Sequence, residues 1–196
     1  GISNYDKTED KFSNLGTSDG LQALNFRKNA FFKAKDGTMY FGGINGFNKF
    51  NPDGFQKNTT PPKIEIVGFK VFNKDVEINE KILGKAILEK EISETDFIVL
   101  KNSHNSFSFE FSAMHFSSPQ QNQYKYMLEG FNEDWIEKDY DRRFANFSNL
   151  DPGDYVFKVM ASNNYGFWNK TPKELRIKIL PPFWKAWWAY LMYVIF

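Results

Sequence analysis

The sequence predicts an all-β chain in three parts: a fragment of a repeating strand-and-turn architecture, a two-layer sandwich, and the start of an apolar C-terminal helix. Three observations carry this expectation. Segments such as Ser106-Phe107-Ser108-Phe109-Glu110-Phe111-Ser112 alternate strictly between polar and apolar side chains, the period of a half-buried strand. Two hexapeptides of similar pattern, Gly1-Ile2-Ser3-Asn4-Tyr5-Asp6 and Gly46-Phe47-Asn48-Lys49-Phe50-Asn51, lie 45 positions apart. From Ala186 to Phe196 no residue is charged.

Composition bounds the problem. The 196 residues suffice for one ordinary domain or two small ones. Lys plus Arg is 25 and Asp plus Glu is 24, a balance that gives no electrostatic reason to expect nucleic acid as a partner. With 22 Phe, 9 Tyr and 5 Trp, an unfolded chain would leave too much apolar surface in water, so the chain folds. Cysteine is absent, which excludes disulfides, thiolate zinc, iron–sulfur clusters and a cysteine nucleophile but leaves the compartment open. The N-terminus has neither the basic nor the apolar region of a signal peptide. There is no initiator Met, and the expectation is a piece of a longer protein.

The first part comprises residues 1–58. Phe31-Phe32-Lys33, Asp36-Gly37 and Thr38–Gly43 read as a strand, a hairpin turn and a second strand, and Gly42, Gly43 and Gly46 frame another tight turn. Short strands joined by glycine turns at a 45-residue repeat fit one β-propeller blade and the tail of the blade before it. Such a fold needs four or more blades, so this part cannot be the whole of one. Gly42-Gly43-Ile44-Asn45-Gly46 joins two strands and opens no helix, so it is a turn and not a phosphate loop.

Asn58-Thr59-Thr60-Pro61-Pro62 is a stiff linker, and residues 59–180 form the second part. Rows of alternating side chains recur at Tyr124, Tyr126 and Leu128, at Tyr155, Phe157, Val159 and Ala161, and at Leu175, Ile177 and Ile179. Strands at 63–72, 97–100 and near 143–148 bring the number to seven; only Lys81–Glu91 offers a helix, weakened by Gly84. Seven such strands predict an immunoglobulin or fibronectin III-like sandwich. Leu150-Asp151-Pro152-Gly153-Asp154-Tyr155 has the layout of a tyrosine corner, whose hydroxyl bonds back to the preceding connection.

Residues 181–196 form the third part. Trp184, Trp187, Trp188, Tyr190 and Tyr193 crowd its start, as an interfacial aromatic belt would. The uncharged run is about half the ~20 residues of a membrane span, and it lacks the polar face of a core-packed helix. The expectation is the beginning of a transmembrane helix.

Chemistry is sparse. Glu129, Glu133, Asp134, Glu137, Asp139 and Asp141 are the best enzyme candidates, but they share one short region with Lys138, Arg142 and Arg143 and read as solvated turn charges. His104 and His115 are too far apart in extended chain to share a metal, and neither a catalytic triad nor a calcium loop is present. Catalytic, cofactor and metal sites are all expected to be none. Asn58, Asn146 and Asn169 begin glycosylation sequons, a signal too short to carry weight. Trp135, Phe167 and Trp168 suit either core packing or stacking on sugar rings.

The string Tyr124-Lys-Tyr126-Met-Leu128-Glu-Gly130-Phe-Asn-Glu-Asp134-Trp135, with Arg143, Asn149-Leu150-Asp-Pro152-Gly153-Asp-Tyr155-Val-Phe157 and Ala161-x-Asn163-x-x-Gly166-x-Trp168, resembles the Y_Y_Y domain. That family is a membrane-proximal module of bacterial two-component sensors, notably the hybrid systems of gut Bacteroidetes. Asp19-Gly20-Leu21-Gln22 and Asp36–Phe47 resemble the last blade of the propellers that precede it, and Pro181-Pro182-Phe183-Trp184 resembles the entry to the following membrane helix. Phe144 and Phe147 depart from the pattern, standing where tyrosine is frequent.

The resemblance implies a periplasmic relay with no enzyme activity of its own, at the inner membrane of a sensor histidine kinase. It implies a homodimer through the sandwich, a membrane contact through the C-terminal helix, and an oligosaccharide ligand held mainly by propeller parts outside the chain. Tyr124, Tyr126, Trp135, Arg143, Pro152, Gly153, Tyr155, Trp168, Pro181 and Pro182 are then the structural and relay residues. The alternatives are a carbohydrate-binding or adhesive module, or an accessory sandwich of a polysaccharide-degrading enzyme.

Overall fold

A computed structural model describes residues 1–7, 10–54, 58–116 and 118–182. They are all-β, with only single 3-10 turns besides strands. They divide into two compact units, one of residues 1–59 with 116–120, the other of residues 60–115 with 121 onward.

In the first unit, β1 (Ile2–Asp6) pairs antiparallel with β2 (Lys11–Leu15). A separate antiparallel sheet contains β3 (Phe26–Lys33), β4 (Met39–Gly43) and β5 (Gly46–Phe50). The Asp36-Gly37 turn forms where the sequence placed it: Gly37 has φ 86°, and the Asp36 carboxylate accepts the Thr38 N–H at 3.0 Å. Asn48 ties β5 to the upstream segment, donating to the Gly20 carbonyl at 2.9 Å and accepting from the Gln22 N–H at 3.0 Å. Leu21 is buried, while Phe12, Phe31 and Phe47 are each about two-thirds exposed.

The second unit contains β6 (Ile64–Val71), β7 (Lys74–Asp75), β8 (Lys81–Ile82), β9 (Lys85–Ala86), β10 (Phe97–Lys101), β11 (Ser106–Ala113), β12 (Gln123–Glu129), β13 (Ile136–Lys138), β14 (Phe144–Ser148), β15 (Gly153–Ser162) and β16 (Lys173–Leu180). One sheet has the order β14-β11-β6-β7, the other β10-β16-β15-β12-β13. Pairing is antiparallel throughout except between β10 and β16, which run parallel and set Lys101 opposite Leu180. All seven strands read from the alternation are present.

The side-chain period turns each alternating row inward. Phe107, Phe109, Phe111 and Ala113 face one side of the core, and Tyr155, Phe157, Val159 and Ala161 the other. Phe109 stacks on Phe157 across the sheets with centroids 4.9 Å apart, and Phe111 lies 5.6 Å from Tyr124. Fully burying one such aromatic stabilises the fold by about 1.5–3 kcal/mol, and this row of rings fixes the face-to-face arrangement of the sheets. A bulge between Glu110 and Phe111 shifts the β11–β6 register beside Gly68, where a Cβ would come within 3.1 Å of the Glu110 Cβ.

The helix expected at Lys81–Glu91 is corrected to a hairpin of β8 and β9. Leu83 and Gly84 form its turn, with φ of 50° and 84°. Two successive positive φ values suit a tight hairpin and are foreign to a right-handed helix. The expected C-terminal helix, residues 181–196, lies outside the described residues from 183 onward. Among the described residues no helix is long and apolar enough to cross a membrane.

Candidate functional site

β16 leads to the C-terminal residues, and the side chains that fix β15, β16 and their neighbours set how that strand is held. Tyr124 crosses between sheets: its buried hydroxyl accepts the Ala113 N–H at 3.2 Å, tying β12 to the end of β11. Tyr126 is buried edge-on to Phe147, with ring centroids 6.2 Å apart, and burial pushes its phenol pKa up. Phe147 thus fills core space without a hydroxyl, while Phe144 is half exposed.

The tyrosine corner forms. Tyr155 donates to the Asp151 carbonyl at 2.9 Å, and the exposed Pro152 with the half-buried Gly153 makes the turn between them. Burial, and the Asp151 charge after it, raise the Tyr155 pKa. The Arg143 carbonyl accepts the Phe111 N–H at 3.0 Å, and its guanidinium donates weakly to the Ser112 hydroxyl at 3.4 Å. Pro181 is exposed and Pro182 half-buried, immediately after the strand end that pairs with β10.

The two tryptophans form one device. Lys125, pointing outward from β12, places its ammonium 5.3 Å from the Trp135 ring centroid and 4.7 Å from that of Trp168. Both indoles are half-buried, so neither is a core plug nor fully free. Trp168 is also fixed by a bridge to Ser162. Beside it lies a cavity of about 220 Å³ lined by Gln123, Tyr124, Glu137, Lys138, Asp139 and Trp168.

Sequence reasoning named Asn163 in the family-like string and Asn169 as a sequon, but missed that both hold the β15 exit. The Asn163 carboxamide accepts from the N–H groups of Tyr165 and Phe167 at 2.9 and 3.0 Å and donates to the Thr60 carbonyl at 3.1 Å. Asn169 is buried, accepts from Ala161 N–H at 2.7 Å and donates to the Thr171 carbonyl. A buried, doubly bonded carboxamide is no place for a glycan, whatever its sequon. Asparagine is enriched in turns for many reasons, so the composition gave no sign of these roles.

The acidic residues Glu129, Glu133, Asp134, Glu137, Asp139 and Asp141 are all exposed; Glu129 is taken up by Lys158 at 2.8 Å, and Glu137 and Asp139 line the cavity beside Trp168. Among the described residues no three His, Asp or Glu side chains converge as a metal site. His115 lies against Asn122, Nδ1 to Oδ1 3.1 Å, while the buried His104 accepts the Lys101 N–H at Nδ1, 3.1 Å away.

Residues 115–180 match the Y_Y_Y domain family. The chain is 30% identical over 195 residues to "Histidine kinase P4" of Formosa agariphila, covering 100% of this chain and 14% of that protein. Its structure resembles the extracellular domain of a hybrid two component system from B. thetaiotaomicron, at 30% identity and a TM-score of 0.73, covering 92% of this chain and 24% of that one. The extracellular domain of a one component system from the same organism shares the fold at 24% identity and a TM-score of 0.55, over 93% of this chain and 23% of the other. The chain thus spans about a seventh of the curated relative and a quarter of these solved domains.

Proposed function

We propose, from the premise that residues 115–180 are a Y_Y_Y domain, that this chain is a non-catalytic signal-transmitting module of a two-component sensor, lying on the periplasmic side of the bacterial inner membrane. The observation that carries the reading is the likeness, over 92% of the chain, to an extracellular domain of a hybrid two component system, because the matched span takes in both units. In this reading the first unit is the C-terminal part of a β-propeller. Its exposed Phe12, Phe31 and Phe47 are the kind of surface a neighbouring blade covers. The second unit is an immunoglobulin-like sandwich. An oligosaccharide is bound mainly by propeller parts outside this chain.

The relay is mechanical. A stiff sandwich passes a change of orientation to whatever follows β16 only if the joint has little slack. Leu180 is held in the parallel β10–β16 pair, and Pro181 and Pro182 have restricted φ and no N–H. Paired sandwiches in a homodimer then act as levers on the membrane segment. Replacing Pro181-Pro182 with Gly-Gly in the full-length sensor tests this. Ligand affinity should stay unchanged while the output falls; full output through the flexible joint would refute the lever.

A further inference from the structure

We propose that the cavity beside Trp168 binds one neutral pyranose ring of a saccharide, making the sandwich itself a sugar-contacting surface. The proposal is separate from the relay reading, because it concerns what occupies this cavity and not what the domain transmits.

Size comes first. At about 220 Å³ the cavity lies below the ~300–1,000 Å³ of pockets that enclose a drug-sized molecule. It admits a single ring and leaves the rest of a chain outside.

The lining then selects the ring. Trp168 contributes an indole, whose ring also carries the Lys125 ammonium, and Gln123, Glu137, Lys138 and Asp139 contribute polar groups. Carboxylates only accept hydrogen bonds, an ammonium only donates, and a carboxamide does both. A ligand that satisfies all four must carry groups that donate and accept around its edge while keeping an apolar face. Hydroxyls on a saturated ring do this. A flat aromatic ligand would gain from the indole but offer the carboxylates few donors.

Charge decides for a neutral molecule. Glu137 and Asp139 contribute two negative charges; Lys138, and Lys125 on the Trp168 ring, contribute two positive ones. The balance leaves no net attraction for an ion of either sign.

The walls are also set in advance. Lys125 holds both indoles, Trp168 is bridged to Ser162, and the Tyr124–Lys138 register fixes β13 against β12. These contacts fix the indole and the strand backbone before binding, which lowers that part of the ordering cost.

The test is titration of the isotopically labelled chain with cellopentaose, laminaripentaose and maltopentaose, and with an oligogalacturonate as the charged comparison, each to millimolar concentration. The Trp168 indole N–H resonance is followed. At least one neutral pentasaccharide should shift it, and the exposed-site variants Asp139→Asn and Gln123→Ala should each weaken that binding about tenfold while melting like the parent. The proposal is overturned if no neutral pentasaccharide moves the resonance, if only the charged oligomer does, or if both variants bind as tightly as the parent.

Discussion

The Tyr155 hydroxyl donates to the carbonyl oxygen of Asp151, four residues upstream, at 2.9 Å. The bond locks the turn that launches β15, and β15 is the strand that carries both β12 and β16. Tyr155→Phe removes the bond and keeps the ring in the core. Because Asp151 is exposed, water can replace the lost donor, so the expected loss is about 1 kcal/mol, the low end for a hydrogen bond next to buried surface. Urea unfolding of the two chains measures it. An unchanged midpoint would mean the corner is decorative.

Gly130 supports the same ring from the other side. It has φ 93°, and a Cβ there would come within 3.1 Å of Tyr155 Cδ1 and 3.4 Å of the Asp154 carbonyl. Gly130→Ala therefore combines a left-handed backbone with a ring that must shift. The expected destabilisation is about 2–4 kcal/mol, larger than for Tyr155→Phe. The reverse order in thermal melts would contradict this picture of the corner.

Much of this was legible before the fold was seen. The phenylalanine rows of β11 and the tyrosine of β15 sit in strict period-2 segments, and period 2 is what a one-face core imposes. The corner was readable from Pro152-Gly153 followed by Tyr155. The hairpin at Leu83-Gly84 was not, because an apolar residue in a positive-φ turn position gives no warning and Lys81–Glu91 has a passable helix composition. Equally hidden was Lys125 between Trp135 and Trp168. That contact depends on the outward face of β12 and on two connections that meet only after the sheet forms. The parallel β10–β16 pair joins residues far apart in sequence, and nothing local announces it.

Glu65 supplies an acid-side dependence. Burial alone would raise its pKa, but Lys63 at 2.9 Å and Lys173 at 3.2 Å outweigh that and hold it below the ordinary value. A carboxylate with a lowered folded-state pKa contributes stability that is present above the unfolded value, near 4.5, and lost as pH falls through the folded one. Glu65→Gln should cost about 1 kcal/mol at neutral pH, an amount that shrinks toward zero in strong acid. Denaturant midpoints at both pH extremes decide it. A penalty that is the same at both would assign Glu65 a packing role instead.

His104 adds a second dependence, nearer neutrality, at the turn joining β10 to β11. Its Nδ1 accepts the Lys101 N–H at 3.1 Å, so the ring proton sits on Nε2, which is buried with at most a poorly aligned contact to the Ile82 carbonyl. Protonating Nδ1 would turn that acceptor into a donor facing another donor. Burial depresses the pKa, the Lys101 charge lowers it further, and the Ile82 backbone carbonyl pulls the other way without prevailing. With the folded-state value below the unfolded 6.5, the contribution is complete above that pH and is lost as pH falls through the folded value. Stability should fall as pH is lowered from above 6.5 into the acid range. His104→Asn offers an acceptor that does not titrate, so the same pH change should leave its stability nearly flat even if the shorter side chain lowers stability at every pH. Lys101 stands opposite Leu180, the last residue before Pro181, so the turn that loosens on protonation abuts the exit strand. Urea unfolding of both chains across this range is the check. A parent curve as flat as that of His104→Asn would show that the buried imidazole does not titrate with folding.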